Sequence, residues 1–210
     1  MLMHKLGNVV VNNTDNLLMT SAANTSLAFV SRNAYGDRCF QFYRDPGADM
    51  LLRKDEVIAA NIAKSKIFHF GTLSMTDLRM EQVTKHAVKK AKEQGAVISF
   101  DPNLRPPLWS SLDDAKEQIA YGMSQCDILK ISDNEIEFMT GTSDFDKGAA
   151  MLQEQYPNIR LLNVTAGADG SYSYYQGRKV FVPSYLLGGT VDTTGAGDTF
   201  GGCVLNYVLD

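Results

Sequence analysis

The chain contains few cysteines, only three among 210 residues. Cys39, Cys126 and Cys203 lie far apart, and no C-x-x-C pair occurs. A disulfide-stapled secreted domain needs more cysteines, and a structural zinc site needs them closer together. Neither class of protein is indicated, and we expect a reducing compartment, the cytoplasm.

Long hydrophobic runs and an excess of positive charge are also missing. Residues 1–13 contain one lysine and a short apolar run interrupted by Gly7 and Asn8, which does not predict a signal peptide. No later segment reaches membrane-spanning length. The net charge is −4, and the basic residues are scattered rather than clustered. We therefore expect neither a membrane nor a nucleic-acid partner.

The sequence does contain an alternation of strand-like and helix-like segments. An antiparallel hairpin is predicted at 25–30 and 38–44, and a second one at 171–175 and 179–182. Between them, strands are predicted at 66–71, 96–101, 127–131 and 160–165, and helices at 76–94, 112–124, 134–140 and 145–156. Thr76 is placed to cap the first of these helices. The pattern predicts an α/β fold, a parallel sheet with helices on both faces.

The most informative segment is D-T-T-G-A-G-D-T-F at 192–200, which runs into an apolar helical pattern. Gly195 and Gly197 allow a tight turn and a close approach of backbone to ligand. The first N–H groups of the helix have no intrahelical partner and would face an anion such as phosphate. The negative charge of Asp198 would repel that phosphate, so an aspartate is unexpected at a site that only binds anions. It is expected if Asp198 takes a proton from a hydroxyl that then attacks the phosphate. The alternative is an ordinary helix cap.

These nine residues resemble the signature of the PfkB, or ribokinase-like, family of ATP-dependent sugar kinases. The resemblance implies a ribokinase-like fold with Asp198 as the catalytic base. It also implies an anion hole formed by the amides of Gly195, Ala196 and Gly197. Other phosphate motifs fail, since no G-x-x-x-x-G-K-[ST] occurs and Phe200 stands where G-x-G-x-x-G needs its last glycine.

A nucleotide-binding loop is implied further upstream. Thr165, Gly167 and Gly170 resemble the T-x-G-x-x-G loop of the family and follow an apolar strand, at whose end α/β sheets bind ligands. Taken alone, a strand followed by Gly-Ala-Asp-Gly is a plain turn. The resemblance assigns these three residues to ATP.

Metal-binding positions are implied by two other matches. Asn134 and Glu137 reproduce the N-x-x-E motif, which the family associates with magnesium and phosphate; spaced i and i+3, they could hold a water on Mg²⁺. The alternative is an Asn cap with an acidic first turn. Asp192 and Thr194 match positions that hold a monovalent cation, K⁺, behind the anion hole.

Two arginines lie in branch-specific segments: that of Arg44 resembles fructokinases, and that of Arg105 resembles the fructokinase and 2-keto-3-deoxygluconate kinase branch of the family. Arg105 and Asn103 belong to D-P-N-L-R, where Arg105 could neutralise phosphoryl charge or pair with Asp101. Arg44 belongs to F-Q-F-Y-R and is expected to reach the sugar or its phosphate. His69, within an apolar strand, is expected to be a satisfied core histidine.

Together these matches imply one kinase domain at 1–210, with a small β lid at about 25–45. We expect it to phosphorylate fructose to fructose 6-phosphate with ATP and Mg²⁺, as a homodimer joined through the lid strands. The alternatives are a 2-keto-3-deoxygluconate kinase or ribokinase, a non-catalytic nucleotide-binding fragment, and a dinucleotide-dependent oxidoreductase. Family members are longer, so we expect the chain to be truncated at both ends.

Overall fold

The structure, a computed structural model, describes residues 16–32, 38–57, 59–185, 188 and 193–209. Its strands are β1 Leu27–Arg32, β2 Arg38–Tyr43, β3 Ile67–Gly71, β4 Val97–Asp101, β5 Ile128–Ser132, β6 Leu161–Thr165, β7 Ser171–Tyr175 and β8 Arg178–Val182. Its α-helices are α1 Ala59–Ile62, α2 Leu78–Glu93, α3 Leu112–Gln125, α4 Asp133–Thr140, α5 Phe145–Gln155 and α6 Ala196–Leu209. The predicted strands and helices are all present, with ends shifted by one or two residues at most.

The larger sheet contains six strands in the order β3-β4-β5-β6-β7-β8. β3 to β6 are parallel, because helical segments carry the chain back between them. β7 and β8 continue the sheet as an antiparallel edge. The turn between them consists of Gln176 and Gly177, both with positive φ, as a two-residue hairpin turn requires. The α/β prediction is confirmed, and the late hairpin extends the sheet.

The two faces of this sheet differ in chemistry. Phe100 on β4 pairs in register with Leu129 on β5, and both face α3, where a Cβ on Gly122 would lie 2.2 Å from Phe100 Cζ. Lys130 follows Leu129 and therefore points to the opposite face. There it lies under α6, since a Cβ on Gly197 would be 3.0 Å from Lys130 Nζ. Helices thus cover both faces, and we call the α6 side the cleft face.

The hydrophobic core lies on the side of the sheet that faces α3. It includes fully buried side chains from the three central parallel strands: Ile98, Phe100, Leu129, Ile131, Leu162 and Val164. Burying each of these side chains stabilises the fold by about 1.5–3 kcal/mol. The stability of the sheet therefore comes mainly from this face, which leaves the cleft face available for polar residues. Within the described part of the chain, no helix is long and apolar enough to cross a membrane.

β1 and β2 form a separate antiparallel sheet, which we call the lid hairpin after the β lid predicted from the sequence. Phe29 and Tyr43 stack edge to face across it, with ring centroids 5.6 Å apart. Such a two-stranded sheet is marginally stable alone and needs other contacts. One contact is made by the Arg105 guanidinium, 5.4 Å from the centroid of the Phe40 ring. The predicted turn at 34–37 lies outside the described residues.

Candidate active site

The turn at residues 195–198 has a backbone suited to binding an anion. Gly195 has φ +78°, in the left-handed region that favours glycine. α6 begins at Ala196, and the Thr199 N–H donates to Gly195 O at 2.9 Å. The N–H groups of Gly197 and Asp198 lie in this first turn and have no intrahelical acceptor, so they are suited to bind a ligand oxygen.

A cleft opens beside the 195–198 turn. It consists of two adjoining cavities of about 260 and 220 Å³, and His69, Asp101 and Asp198 line both of them. The larger cavity lies between α6 and the cleft face, and the smaller one extends to Leu73 and Asn103. The smaller cavity lies at the carboxyl ends of β3 and β4, where Gly71 and Asp101 line it and where open α/β sheets bind ligands. The exposed Asp198 lies where the two cavities meet.

A buried ion pair lines the cleft. Lys130 Nζ lies 3.0 Å from Asp101 Oδ2, and the two side chains are only 13% and 8% exposed. Burial raises the pKa of Asp101, and the Glu135 carboxylate adds to the rise, while the Lys130 charge opposes it. Burying two charges is costly, so a pair kept inside a cleft is a candidate functional group. Lys130 was not predicted from the sequence, although a lysine within the apolar run of β5 could have indicated a functional residue.

His69 corrects one expectation from the sequence. Instead of lying in the core, its side chain is on the cleft face and lines both cavities. Nδ1 lies 3.0 Å from Ser99 Oγ on the neighbouring strand. Desolvation lowers the pKa of His69, helped by Lys130 and opposed by Asp101 and Asp198. The imidazole therefore belongs to the polar wall of the cleft.

The segment after β4 brings Asn103 to the smaller cavity, whereas Arg105 lines neither cavity. Asn103 has φ +50°, and its N–H donates to Asp101 Oδ1 at 3.2 Å. Arg105 Nη1 donates to Leu104 O at 3.0 Å. The alternative ion pair between Arg105 and Asp101 is not formed, because Asp101 pairs with Lys130 instead. No carboxylate within the described ranges forms an ion pair with Arg105, so its charge is available to a ligand.

Glu135 is a second residue that sequence reasoning missed. Its side chain accepts the Leu104 N–H at 2.7 Å and the Ser132 N–H at 2.9 Å, and the residue is 6% exposed. It therefore fixes the segment after β4 to the start of α4. Asn134 and Glu137, the predicted magnesium residues, are exposed on α4 and line neither cavity. Their role stays a prediction.

Arg44 fastens the base of the lid hairpin to the cleft wall. Its guanidinium donates to Leu73 O at 2.8 Å and to Thr76 Oγ1 at 3.1 Å, and it pairs with Asp49 at 2.6 Å. Burial opposes ionisation of Asp49, but hydrogen bonds from Arg44 and Ser26 outweigh it and lower the pKa. Arg44 thus has three protein partners, and its predicted contact with substrate stays a prediction.

The predicted nucleotide loop follows β6, which ends at Thr165. Gly167 and Gly170 have φ of +53° and +125°, and a Cβ on Gly170 would lie 2.2 Å from Val182 O. The Ala166 N–H donates to Gly170 O at 2.8 Å and closes the turn. Both glycines are thus required by the turn itself, and the assignment of the loop to ATP stays a prediction.

The predicted monovalent cation site is only partly within the described residues. Asp192 lies outside them, and Thr194 is exposed on the turn that precedes α6. Across the described ranges, no three His, Cys, Asp or Glu side chains cluster closely enough to hold a metal ion. Mg²⁺ on a kinase can be held largely by phosphate oxygens and water, so the cleft remains compatible with it.

The profile of the pfkB family carbohydrate kinases matches residues 8–210. The chain belongs to this family. Its relatives include the probable fructokinase-2 of Arabidopsis thaliana, 44% identical over 188 residues that make up 90% of this chain and 56% of the relative. The fructokinase-2 of Solanum habrochaites is 40% identical over 210 residues, 99% of this chain and 63% of the relative. The resemblance inferred from the 192–200 segment is confirmed.

Solved structures of the family have the same fold. The fructokinase from Vibrio cholerae O395 in its fructose, ADP and calcium ion bound form matches with a TM-score of 0.86 at 28% identity, over 97% of this chain and 64% of that one. The Xylella fastidiosa fructokinase with bound ATP matches with a TM-score of 0.84 at 34% identity, over 96% and 61%. The ribokinase-like fold is confirmed, and the chain spans less than two thirds of each of these relatives.

Proposed function

We propose that the chain carries the catalytic part of an ATP-dependent sugar kinase that converts fructose to fructose 6-phosphate. The observation that carries the proposal is the position of Asp198, in the first turn of α6 and at the junction of the two cavities. A carboxylate there is next to backbone N–H groups suited to an anion, and it faces a space large enough for a sugar. The fructokinases among the relatives support the choice of sugar.

In this proposal Asp198 accepts the proton of the sugar's primary hydroxyl as that oxygen attacks the γ-phosphate. The N–H groups of Gly197 and Asp198 stabilise the negative charge that develops on the transferring group, whereas the Ala196 N–H, also predicted to bind the anion, donates to Thr193 O at 3.2 Å. Arg105 supplies a guanidinium for the same charge, because it has no carboxylate partner in the described ranges. Asn103 lines the smaller cavity and is proposed to bind substrate there.

ATP is proposed to lie against the loop of Thr165, Gly167 and Gly170. Glu137 and Asn134 would hold Mg²⁺ through water. A K⁺ site behind the 195–198 turn would use Asp192 and Thr194. Bound Mg²⁺ would neutralise phosphate charge, which lowers the electrostatic barrier to attack by the hydroxyl.

One observation bears on the rival substrate 2-keto-3-deoxygluconate. A keto-acid needs a cationic partner for its carboxylate, and Arg44 and Arg105 are the two candidates. The Arg44 guanidinium already pairs with Asp49 and donates to Leu73 O and Thr76 Oγ1. Since these bonds would have to break before Arg44 could bind a carboxylate, Arg105 is the candidate left for a keto-acid, and the choice of fructose rests on the fructokinases among the relatives.

The lid hairpin is proposed to form a homodimer interface. Leu27, Phe29, Val30 and Tyr43 are 53%, 53%, 47% and 68% exposed. Large apolar side chains grouped on one exposed hairpin are typical of an interaction surface, and a second copy would complete an otherwise marginal two-stranded sheet. We also propose that the protein works in the cytoplasm and without a nucleic-acid partner.

The proposed function is tested by measuring ADP release with fructose and MgATP. Asp198→Asn keeps the shape of the side chain but removes proton acceptance, so kcat should fall at least ~10²-fold with little change in the affinity for ATP. Asp133→Asn is a matched control, because Asp133 also lies in the first turn of a helix but lines neither cavity. Turnover by Asp198→Asn close to that of the wild type would refute the assignment of the base.

A further inference from the structure

Lys130 is a buried cation under the 195–198 turn, and none of the motifs discussed above includes it. It lies on the central strand β5 with its side chain on the cleft face. Its Nζ is 3.0 Å from Asp101 Oδ2 and would be 3.0 Å from a Cβ on Gly197. Only 13% of the side chain is exposed, so the ammonium stays in place below the first turn of α6.

This position is electrostatically unfavourable unless negative charge is nearby. The amino end of a helix carries about half a positive charge, and a lysine is normally stabilised at the opposite end. Burying an ammonium adds a desolvation cost. Asp101 neutralises one unit of charge, and Asp198 places a second carboxylate in the first turn of α6, so the site holds two cationic centres and two carboxylates. An anion bound to the 195–198 turn would interact favourably with both positive centres at once.

A second buried donor beside Lys130 indicates that the cleft is built for a polar ligand. Asn163 pairs in register with Lys130, lines the larger cavity and is 2% exposed. Its Oδ1 accepts the Ser173 hydroxyl at 2.7 Å, whereas its Nδ2 has no acceptor among the residues that the structure describes. Buried amide groups are rarely left unpaired, so an acceptor atom belongs in this cavity.

We propose that Lys130 supplies a fixed positive charge to the 195–198 turn and thereby increases its affinity for the terminal phosphoryl group of a nucleoside triphosphate. Asp101 acts as its positioning partner, holding the ammonium on the cleft face. The proposal rests on the proposed kinase function, since it names a residue of the same site. It differs from a purely structural role of the ion pair, in which only the cancellation of two buried charges would matter.

Three variants separate these roles. Lys130→Met removes the charge at nearly constant size, Asp101→Asn keeps the ammonium without its partner, and the double variant removes both charges. The double variant leaves no unpaired buried charge, so it should fold even if Lys130→Met does not. Lys85→Met is the matched control: Lys85 is half-buried and paired with Glu81 at 2.6 Å, but lies on α2 and lines neither cavity.

The affinities for MgATP and MgADP are measured by calorimetry, and stabilisation by inorganic phosphate is measured by thermal unfolding. We expect Lys130→Met and the double variant to bind ATP about tenfold more weakly, the scale of one charge-assisted contact, with ADP little affected. Lys85→Met should keep the wild-type preference for ATP over ADP, and Asp101→Asn, which retains the ammonium but loses its positioning partner, should fall between Lys85→Met and Lys130→Met. Phosphate should stabilise the wild type and Asp101→Asn more than the two variants without Lys130.

Wild-type affinity for ATP in the double variant would overturn the proposal, because the pair would then be only structural. Equal losses in Lys130→Met and Asp101→Asn would also overturn it. So would a wild-type protein that binds neither ATP nor phosphate, since the turn would then be no anion site. If ATP binding depends on Lys130 but no phosphate reaches fructose, this inference stands and the choice of fructose falls.

Discussion

Replacing Glu135 by alanine should lower the free energy of unfolding, because two backbone N–H groups lose their acceptor. The Glu135 carboxylate accepts two N–H groups, from Leu104 at 2.7 Å and from Ser132 at 2.9 Å. Removing it leaves both donors without that acceptor, at about 1–3 kcal/mol for each buried group. Because both bonds are only partly buried, we expect the lower part of this range, about 2–4 kcal/mol in total. That is a large fraction of the ~5–15 kcal/mol stability of a typical domain.

Equilibrium unfolding in urea measures this loss by linear extrapolation. Glu137→Ala is the control on the same helix, because Glu137 is exposed and should change the free energy of unfolding by no more than about 0.5 kcal/mol. Glu135→Ala should also lower sugar-kinase turnover, since Asn103 and Arg105 depend on the segment that Glu135 holds. Equal unfolding free energies for Glu135→Ala and the wild type would refute this reasoning.

Three other positions check the packing and electrostatics of the structure. Gly122→Ala places a methyl group 2.2 Å from Phe100 Cζ and should cost about 1–3 kcal/mol; an unchanged thermal melt would contradict the packing of α3. Burial raises the pKa of Cys126 to about 12, so iodoacetamide should label the exposed Cys203 and spare Cys126 until urea is added, as peptide mass mapping would reveal. The pKa of His69 is lowered from 6.5, so the unfolded chain binds more protons and stability falls as the pH drops below about 6.5. His69→Gln should flatten this loss in urea unfolding measured between about pH 7 and pH 5, and identical pH profiles would contradict the lowered pKa.

The order of strands and helices could be predicted because the local patterns are strong. Apolar runs, glycines at helix ends and turn residues between hairpin strands each act within a few residues, and the predicted ends of the elements differ from the observed ones by one or two residues. The choice of a capping residue was less predictable. Asp77, not the expected Thr76, caps α2, because the Thr76 hydroxyl bonds to Leu73 O and accepts from Arg44.

The polar side of the cleft could be predicted only in part. The 192–200 segment identified Asp198 because the whole motif lies in one continuous stretch. Lys130, His69 and Glu135 were missed or misread because their surroundings come from other elements: Asp101 on β4, Ser99 on β4, and Leu104 after β4. His69 in particular lies between Phe68 and Phe70 on β3. This pattern shows that His69 and the two phenylalanines point to opposite faces of the sheet, but it does not show which face borders the cleft.

The two-faced sheet also limits how the length of this protein can change during evolution. Side chains alternate along a strand, so one extra residue in β5 before Lys130 would move the lysine into the core and an apolar side chain into the cleft. Such an insertion would destabilise the core and would also remove Lys130 from the cleft. The same insertion in a connecting loop would leave the core and the cleft unchanged. We therefore expect insertions and deletions among natural variants to be confined to the loops and absent from Ile67–Gly71, Val97–Asp101, Ile128–Ser132 and Leu161–Thr165.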